Sequence, residues 1–171
     1  MRKIIGALFT LLLLSAIPKS YAQNTGVYAI VRAPQFMNYN FNTNDASYTE
    51  GLSAGIGLYH KSLFIELAPV ILEDNYYGYY TFFGSTIKRT ELSKNFNLNT
   101  SMFGEVTTFP EQSGISDGTW IYTGGLCLFP NVQVQRMNLG VVLCTGLAYQ
   151  DEEMIFNNRF VLNLTYTLTG K

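Results

Sequence analysis

Charge is scarce in this chain. Only 13% of its 171 residues are Asp, Glu, Lys or Arg, against about 25% in ordinary soluble domains, so there is little charge with which to cover a water-facing surface. Histidine occurs once, as His60, and cysteine twice, as Cys127 and Cys144. Those counts leave no metal-spaced His/Cys set, and neither a G-x-S-x-G elbow nor a phosphate loop is present. His60 stands beside Lys61 in a short turn, where a solvated side chain is expected and a catalytic base is not. After Gln23 no apolar run approaches the roughly 20 residues of a membrane helix, so any spanning must be done by strands. There is also no Pro/Ser-rich linker, no long charge block and no repeat of period 20 to 50, which leaves a single domain.

Aromatic residues are plentiful at 15%, and Gly, Asn and Thr abound. The first residues read MRKIIGALFTLLLLSAIPKSYAQ. Arg2 and Lys3 precede a mostly apolar run from Ile4 to Ile17, and Ser20-Tyr21-Ala22 supplies a small-x-small cleavage pattern. The run is too short to span a bilayer, so residues 1–22 are predicted to be a cleaved signal peptide and residues 23–171 the mature domain. Of the 11 Lys and Arg residues, Arg2, Lys3 and Lys19 fall in that leader, leaving 8 against 12 Asp and Glu, a mature balance of −4.

The closing stretch, FVLNLTYTLT, sets the pattern for the rest. Phe160, Leu162, Leu164, Tyr166 and Leu168 alternate with Val161, Asn163, Thr165 and Thr167, the two-residue period of a strand with one oily face and one face of small polar groups. Leu52, Ala54, Ile56 and Leu58 oppose Ser53, Gly55, Gly57 and Tyr59 in the same way, and Leu98, Thr100, Met102 and Val106 oppose Asn97, Asn99, Ser101 and Glu105. Turn chemistry divides the chain into eight strands near 26–39, 48–59, 63–72, 76–92, 96–109, 119–129, 132–149 and 156–169.

Longer connections, such as NFNTNDAS, PEQSGISDG and QDEEMIFNN, alternate with short ones, HKS, SKN and PN, although EDN is a short exception. Acidic residues gather on the long-loop side, among them Asp45, Glu50, Glu73, Asp74, Glu111, Asp117, Asp151, Glu152 and Glu153. Lys61, Lys88, Arg89, Lys94 and Arg136 gather on the turn side. Aromatics cluster toward both ends, Tyr39, Tyr48, Tyr77, Tyr79, Tyr80, Phe109, Trp120 and Tyr122 at the loops and Tyr28, Tyr59, Phe64, Phe96 and Tyr166 at the turns. Two belts of amphipathic rings, with short turns on one side and longer loops on the other, are the signature of an all-β, eight-stranded antiparallel up-and-down transmembrane barrel.

With these features the chain resembles the small eight-stranded outer-membrane proteins of Gram-negative bacteria, of the OmpX and OmpA-barrel type. The resemblance implies a bacterial outer-membrane location, insertion by the barrel-assembly machinery through recognition of the last strand, and contact with outer-membrane lipid and lipopolysaccharide. Such proteins usually end on an aromatic residue, whereas this chain continues Thr169-Gly170-Lys171.

Eight strands enclose an interior just wide enough for side chains, so no open pore is expected. By parity Arg32, Glu66 and Glu105 face inward, as does Arg136 if the seventh strand keeps one register, which predicts an interior Arg–Glu charge network. The apolar face changes parity between Val134 and Met137. Either the turn is at Pro130-Asn131 with a bulge near Gln135, or it lies at 135–138. A proline inside a ladder is disfavoured, which favours the early turn. That turn sets Cys127 and Cys144 several rows apart and unbridged, whereas the late one makes them neighbours on one face. Asp151, Glu152 and Glu153 are candidate ligands for a divalent cation bridging to lipopolysaccharide phosphates.

The leading functional expectation is a non-enzymatic barrel whose surface loops bind an extracellular ligand or stabilise the envelope, with no cofactor and no nucleic-acid partner. The alternative is a secreted soluble lipocalin-like barrel holding an apolar ligand, in which Leu52, Ile56, Leu162 and Leu164 point inward.

Overall fold

The computed structural model describes residues 25–40, 44–72, 77–109, 119–150 and 153–169. The expected signal peptide lies outside these, as do Asp151 and Glu152. The strands are β1 (Gly26–Asn40), β2 (Asp45–His60), β3 (Leu63–Leu72), β4 (Tyr77–Glu91), β5 (Phe96–Phe109), β6 (Thr119–Val134), β7 (Met137–Gln150) and β8 (Glu153–Thr169). Each pairs antiparallel with its neighbours in the chain, and β1 pairs with β8 from Val27↔Thr169 to Asn40↔Ile155, closing the sheet into an up-and-down barrel. Closure leaves no strand edge to be satisfied by water or by another chain.

The two-residue period decides what each face meets. Leu52, Ile56, Leu67, Leu126, Leu139, Leu143 and Leu162 point outward and are exposed. Ser53, Glu66, Ser101, Glu105, Thr123, Asn157 and Asn163 point inward and are buried. The lumen is not purely polar, because Ala68, Val70, Phe82, Phe103, Val142 and Val161 form an apolar cluster within it. Exposed Tyr48, Tyr77, Tyr79, Trp120 and Tyr122 ring the loop end, and Phe96 and Tyr166 stand near the turn end. Tyr80 and Phe109 turn inward and are buried. Tyr28 also faces the lumen, where it reaches Glu66.

The hairpin between β6 and β7 departs from the favoured expectation. Val134 pairs with Met137, so the turn consists of Gln135 and Arg136, and Gln135 takes a left-handed φ of 55°. Pairing 134 with 137 joins an even to an odd position. The apolar face therefore passes from Leu126, Leu128, Val132 and Val134 to Met137, Leu139, Leu143 and Leu147 without a bulge. Pro130 stays inside β6, opposite Leu98 of β5. Toward β7 the ladder skips Phe129 and Pro130 between Leu128↔Leu143 and Asn131↔Gly140. A proline costs one ladder bond; a turn placed at 130–131 would have turned the oily face of one strand into the lumen.

The connection between β7 and β8 is also shorter than QDEEMIFNN suggested. Gln150 pairs directly with Glu153, and Met154 to Asn158 belong to β8.

The late turn brings Cys127 and Cys144 opposite each other, and they are joined as a disulfide with Cα atoms 4.1 Å apart. It closes a sequence separation of 17 residues, a loop for which chain-entropy models give about 3 kcal/mol. Both cysteines are buried on the lumen side, within the interior apolar cluster. The denatured, unreduced protein is therefore expected to show no thiol reactive to alkylation and to gain two on reduction. The Cys127→Ala, Cys144→Ala variant should still close into a barrel, with a urea midpoint lower than that of the oxidised protein.

Candidate functional site

Among the described residues the lumen holds two ion pairs. Tyr28 of β1 lies opposite Gly57 of β2, and Gly57 lies opposite Glu66 of β3. A Cβ at Gly57 would collide with the Tyr28 ring, so glycine there lets that ring lie across to Glu66. The Tyr28 hydroxyl donates to Glu66 Oε1 at 2.6 Å, and Arg32 Nη2 donates to the same oxygen at 3.0 Å. Glu66 Oε2 sits 2.6 Å from Arg32 Nη1 without the alignment of a hydrogen bond, so this contact is ionic. Arg32 Nε donates to Asn163 Oδ1 of β8 at 2.7 Å.

The second pair spans the lumen between strands that are not neighbours. Arg159 of β8 reaches Glu105 of β5 through Nη1, donates from Nε to Asn157 Oδ1 at 2.7 Å and from Nη2 to Thr123 Oγ1 of β6 at 3.1 Å. Thr107 Oγ1 donates to the other oxygen of Glu105 at 2.7 Å. Both side chains of this pair are only 7% exposed. Isolated charges at that depth would be very costly, and the combination of an opposite charge with several hydrogen bonds is what makes them tolerable.

Aromatic rings connect the two pairs. The guanidinium of Arg32 lies 5.1 Å from the Phe82 ring centre, Phe82 stacks on Phe103 at 5.2 Å, and Arg159 lies 5.9 Å from Phe103. Phe64 also stacks on Phe82, at 5.6 Å. Two cation–π contacts therefore flank a stacked pair of phenylalanines and fill the middle of the barrel. Toward the turns a separate polar layer follows, in which Arg89 donates to Asn97 Oδ1 at 3.4 Å and to Gln133 Oε1 at 3.2 Å. Toward the loops the filling is incomplete and leaves a cavity of about 190 Å³.

Among the residues singled out from sequence, the structure brings Arg32 to Glu66 but not Arg136 to Glu105. Arg136 is exposed in the β6–β7 turn, because that turn falls at Gln135-Arg136. Glu105 is met instead by Arg159, which sequence reasoning passed over. The signal was present: 159 has the parity of Val161 and Asn163, on the polar side of the closing strand. Glu153, from the proposed cation loop, begins β8, while Asp151 and Glu152 lie outside the described residues. No group of three His, Cys, Asp or Glu side chains gathers among the described residues. His60 is exposed at the turn end, its Nδ1 2.6 Å from Thr25 Oγ1.

Neither a protein-family model nor a curated protein sequence matches this chain. Among solved structures, the crystal structure of Neisserial surface protein A is similar over 84% of this chain and 99% of its own, with a TM-score of 0.59 and 7% sequence identity. At that identity the likeness concerns the fold. The chain has the fold of the small eight-stranded outer-membrane barrels.

Proposed function

We propose that this protein is a non-enzymatic bacterial outer-membrane barrel, closed through its middle by its ion pairs and rings, that presents its loop end to the outside as a binding or envelope-stabilising surface. The observation that carries this reading is the inversion of the two faces. Leu52, Leu67, Leu139 and Leu162 are each more than half exposed, at 56%, 52%, 59% and 52%, while Glu66 and Glu105 are at most 7% exposed. In water that arrangement leaves a continuous oily wall uncovered; in a bilayer it is the favourable one. The secreted soluble alternative needs Leu52, Ile56, Leu162 and Leu164 in the lumen, and all four point outward.

The polar ends agree with this placement. Lys61, Lys88, Lys94 and Arg136 are exposed toward the turns, and Glu50 is exposed toward the loops. Basic turns favour an anionic inner leaflet. On the outer side, acidic groups beside lipopolysaccharide phosphates need divalent cations between them, which is the route by which such loops would stabilise the envelope. Insertion would proceed through the barrel-assembly machinery acting on β8.

Leu164 provides the test of location. Arginine on a lipid-facing position near the midplane costs about 2–4 kcal/mol, whereas on a water-facing wall it costs almost nothing. Leu164→Arg is expected to lose the heat-modifiable, membrane-pelleted form on unboiled gels while Leu164→Ala keeps it; full recovery of Leu164→Arg as a soluble folded protein would place this outward face in water and contradict a membrane location.

The closure is tested at the second ion pair. Removing one partner of a buried pair costs about 3–5 kcal/mol, while replacing both by apolar groups is often close to neutral. In urea titrations in micelles Arg159→Met should therefore destabilise the barrel more than the double variant Arg159→Met, Glu105→Leu. In planar bilayers the wild-type protein should give no sustained ionic conductance. A steady open channel would contradict a closed interior.

A further inference from the structure

The outer wall carries a polar strip near its loop end. On β2 the outward positions Leu52, Ala54, Ile56 and Leu58 are apolar and exposed, but the next two toward the loops are Glu50 and Tyr48. Outward Gln35 of β1 pairs with Glu50. Further round, Asn158 of β8 and Thr145 of β7 face outward opposite each other, with Met37 of β1 on the other side of Asn158. Exposed Leu52, Leu143 and Phe160 bound the strip on its turn side, and Leu147 lies on its loop side. Leu58 and Glu50 are eight positions apart on β2, which at about 3.3 Å each and a tilt of about 40° is about 20 Å along the barrel axis. The apolar band of such barrels is about 25 Å tall, so the strip lies where hydrocarbon gives way to lipid headgroups.

Hydrogen bonding within the strip is one-sided. The Tyr48 hydroxyl and Gln35 Nε2 both donate to Glu50 Oε1, the latter at 3.4 Å. Glu50 Oε2 accepts no hydrogen bond among the described residues, and neither lumen ion pair involves Glu50. At the other end, the side chains of Asn158 and Thr145 make no hydrogen bond among the described residues. Asn158 stands two strand spacings, about 10 Å, from Glu50. The strip therefore offers a carboxylate with a free oxygen beside the Gln35 carbonyl oxygen, and, within reach of them, an amide N–H and a hydroxyl. A lone carboxylate suits a single positive charge, since a divalent ion takes six or more oxygen ligands. Two acceptor oxygens suit a protonated amine, with N–H bonds to give, better than a quaternary one. Neutral donors nearby suit an anionic oxygen.

We propose that this strip is a binding site for one phosphoethanolamine headgroup, borne by a phospholipid or as a substituent on lipopolysaccharide. Its ammonium lies against Glu50 Oε2 and the Gln35 carbonyl oxygen, and its phosphate accepts from Asn158 and Thr145. The lipid's acyl chains then run down the apolar wall over Phe160 and Leu143. The Tyr48 and Gln35 donors hold the carboxylate in place before the lipid arrives, which lowers the ordering cost of binding. The site rests on the membrane placement of the outer wall and names a partner for it.

The experiment uses the full mature protein, disulfide intact, folded in micelles with equal amounts of phosphatidylethanolamine, phosphatidylcholine and phosphatidylglycerol of one chain length. Lipids retained on the intact barrel are counted by native mass spectrometry. Phosphatidylethanolamine should be retained at one per barrel, at least fivefold above the other two. Glu50→Gln and Asn158→Leu should each remove most of that preference, while Glu91→Gln, exposed at the turn end, should leave it unchanged. Addition of lipopolysaccharide with and without phosphoethanolamine substituents separates the sources. Displacement by the substituted form alone assigns the headgroup to lipopolysaccharide, and displacement by neither assigns it to phospholipid. The proposal is overturned if phosphatidylethanolamine is held no better than the other two, or if folded Glu50→Gln holds it like wild type. Displacement by unsubstituted lipopolysaccharide, or a preference for phosphatidylglycerol in calcium, equally overturns it. Loss of the preference in a barrel that still inserts sinks the site alone, whereas a barrel that folds without lipid or detergent sinks the membrane placement.

Discussion

Pairing of β1 with β8 is the constraint on which the rest of this structure depends. In a bilayer each unpaired backbone N–H or C=O costs several kcal/mol, so a sheet survives there only when its last strand returns to its first. The register Arg32↔Asn163 and Val31↔Leu164 shows how closure and side-chain chemistry are coupled. It sets an inward arginine beside an inward carboxamide that accepts its Nε–H, and an outward valine beside an outward leucine. A slip of one residue in that seam would reverse every such match at once.

A barrel of eight strands has almost no free lumen, and what fills it must also satisfy itself. Here the filling changes along the axis. Near the turns it is a carboxamide and guanidinium layer around Arg89, Asn97 and Gln133. At the middle, two ion pairs enclose a phenylalanine stack. Toward the loops it thins into a pocket of mixed apolar and polar lining above the charges. The middle layer ties β1 to β3 and β5 to β8 with contacts no ladder provides. The charges are therefore bound to the closed state: in an open sheet Arg159 and Glu105 are far apart and each is uncompensated. That makes the layer a device for specifying one barrel more than a source of net stability.

The disulfide adds a covalent link to this filling, since Cys127 and Cys144 belong to the same buried apolar cluster as Phe82 and Phe103. Cys127 and Cys144 stand opposite in the β6–β7 hairpin, beside a ladder that is interrupted at Phe129 and Pro130. A covalent tie next to a gap in the pairing offsets the local loss, and it is available only because the hairpin turns at Gln135-Arg136.

Local alternation in the sequence by itself determined strand number, the face of nearly every strand residue, and the inward direction of Arg32, Glu66 and Glu105. A two-residue period is a property of the chain and needs no partner to be read. The ranges of β3 and β5 were legible for the same reason, each being bounded by clear turn residues. Three matters were decided only by tertiary structure. Glu105 pairs with Arg159 and not Arg136 because strands distant in sequence face each other only after the sheet has closed. Pro130 stays in β6 because keeping oily faces outward on two strands outweighs one lost ladder bond. The pocket exists because inward side chains from all eight strands fail to fill the space between them, and no single strand carries a record of that sum.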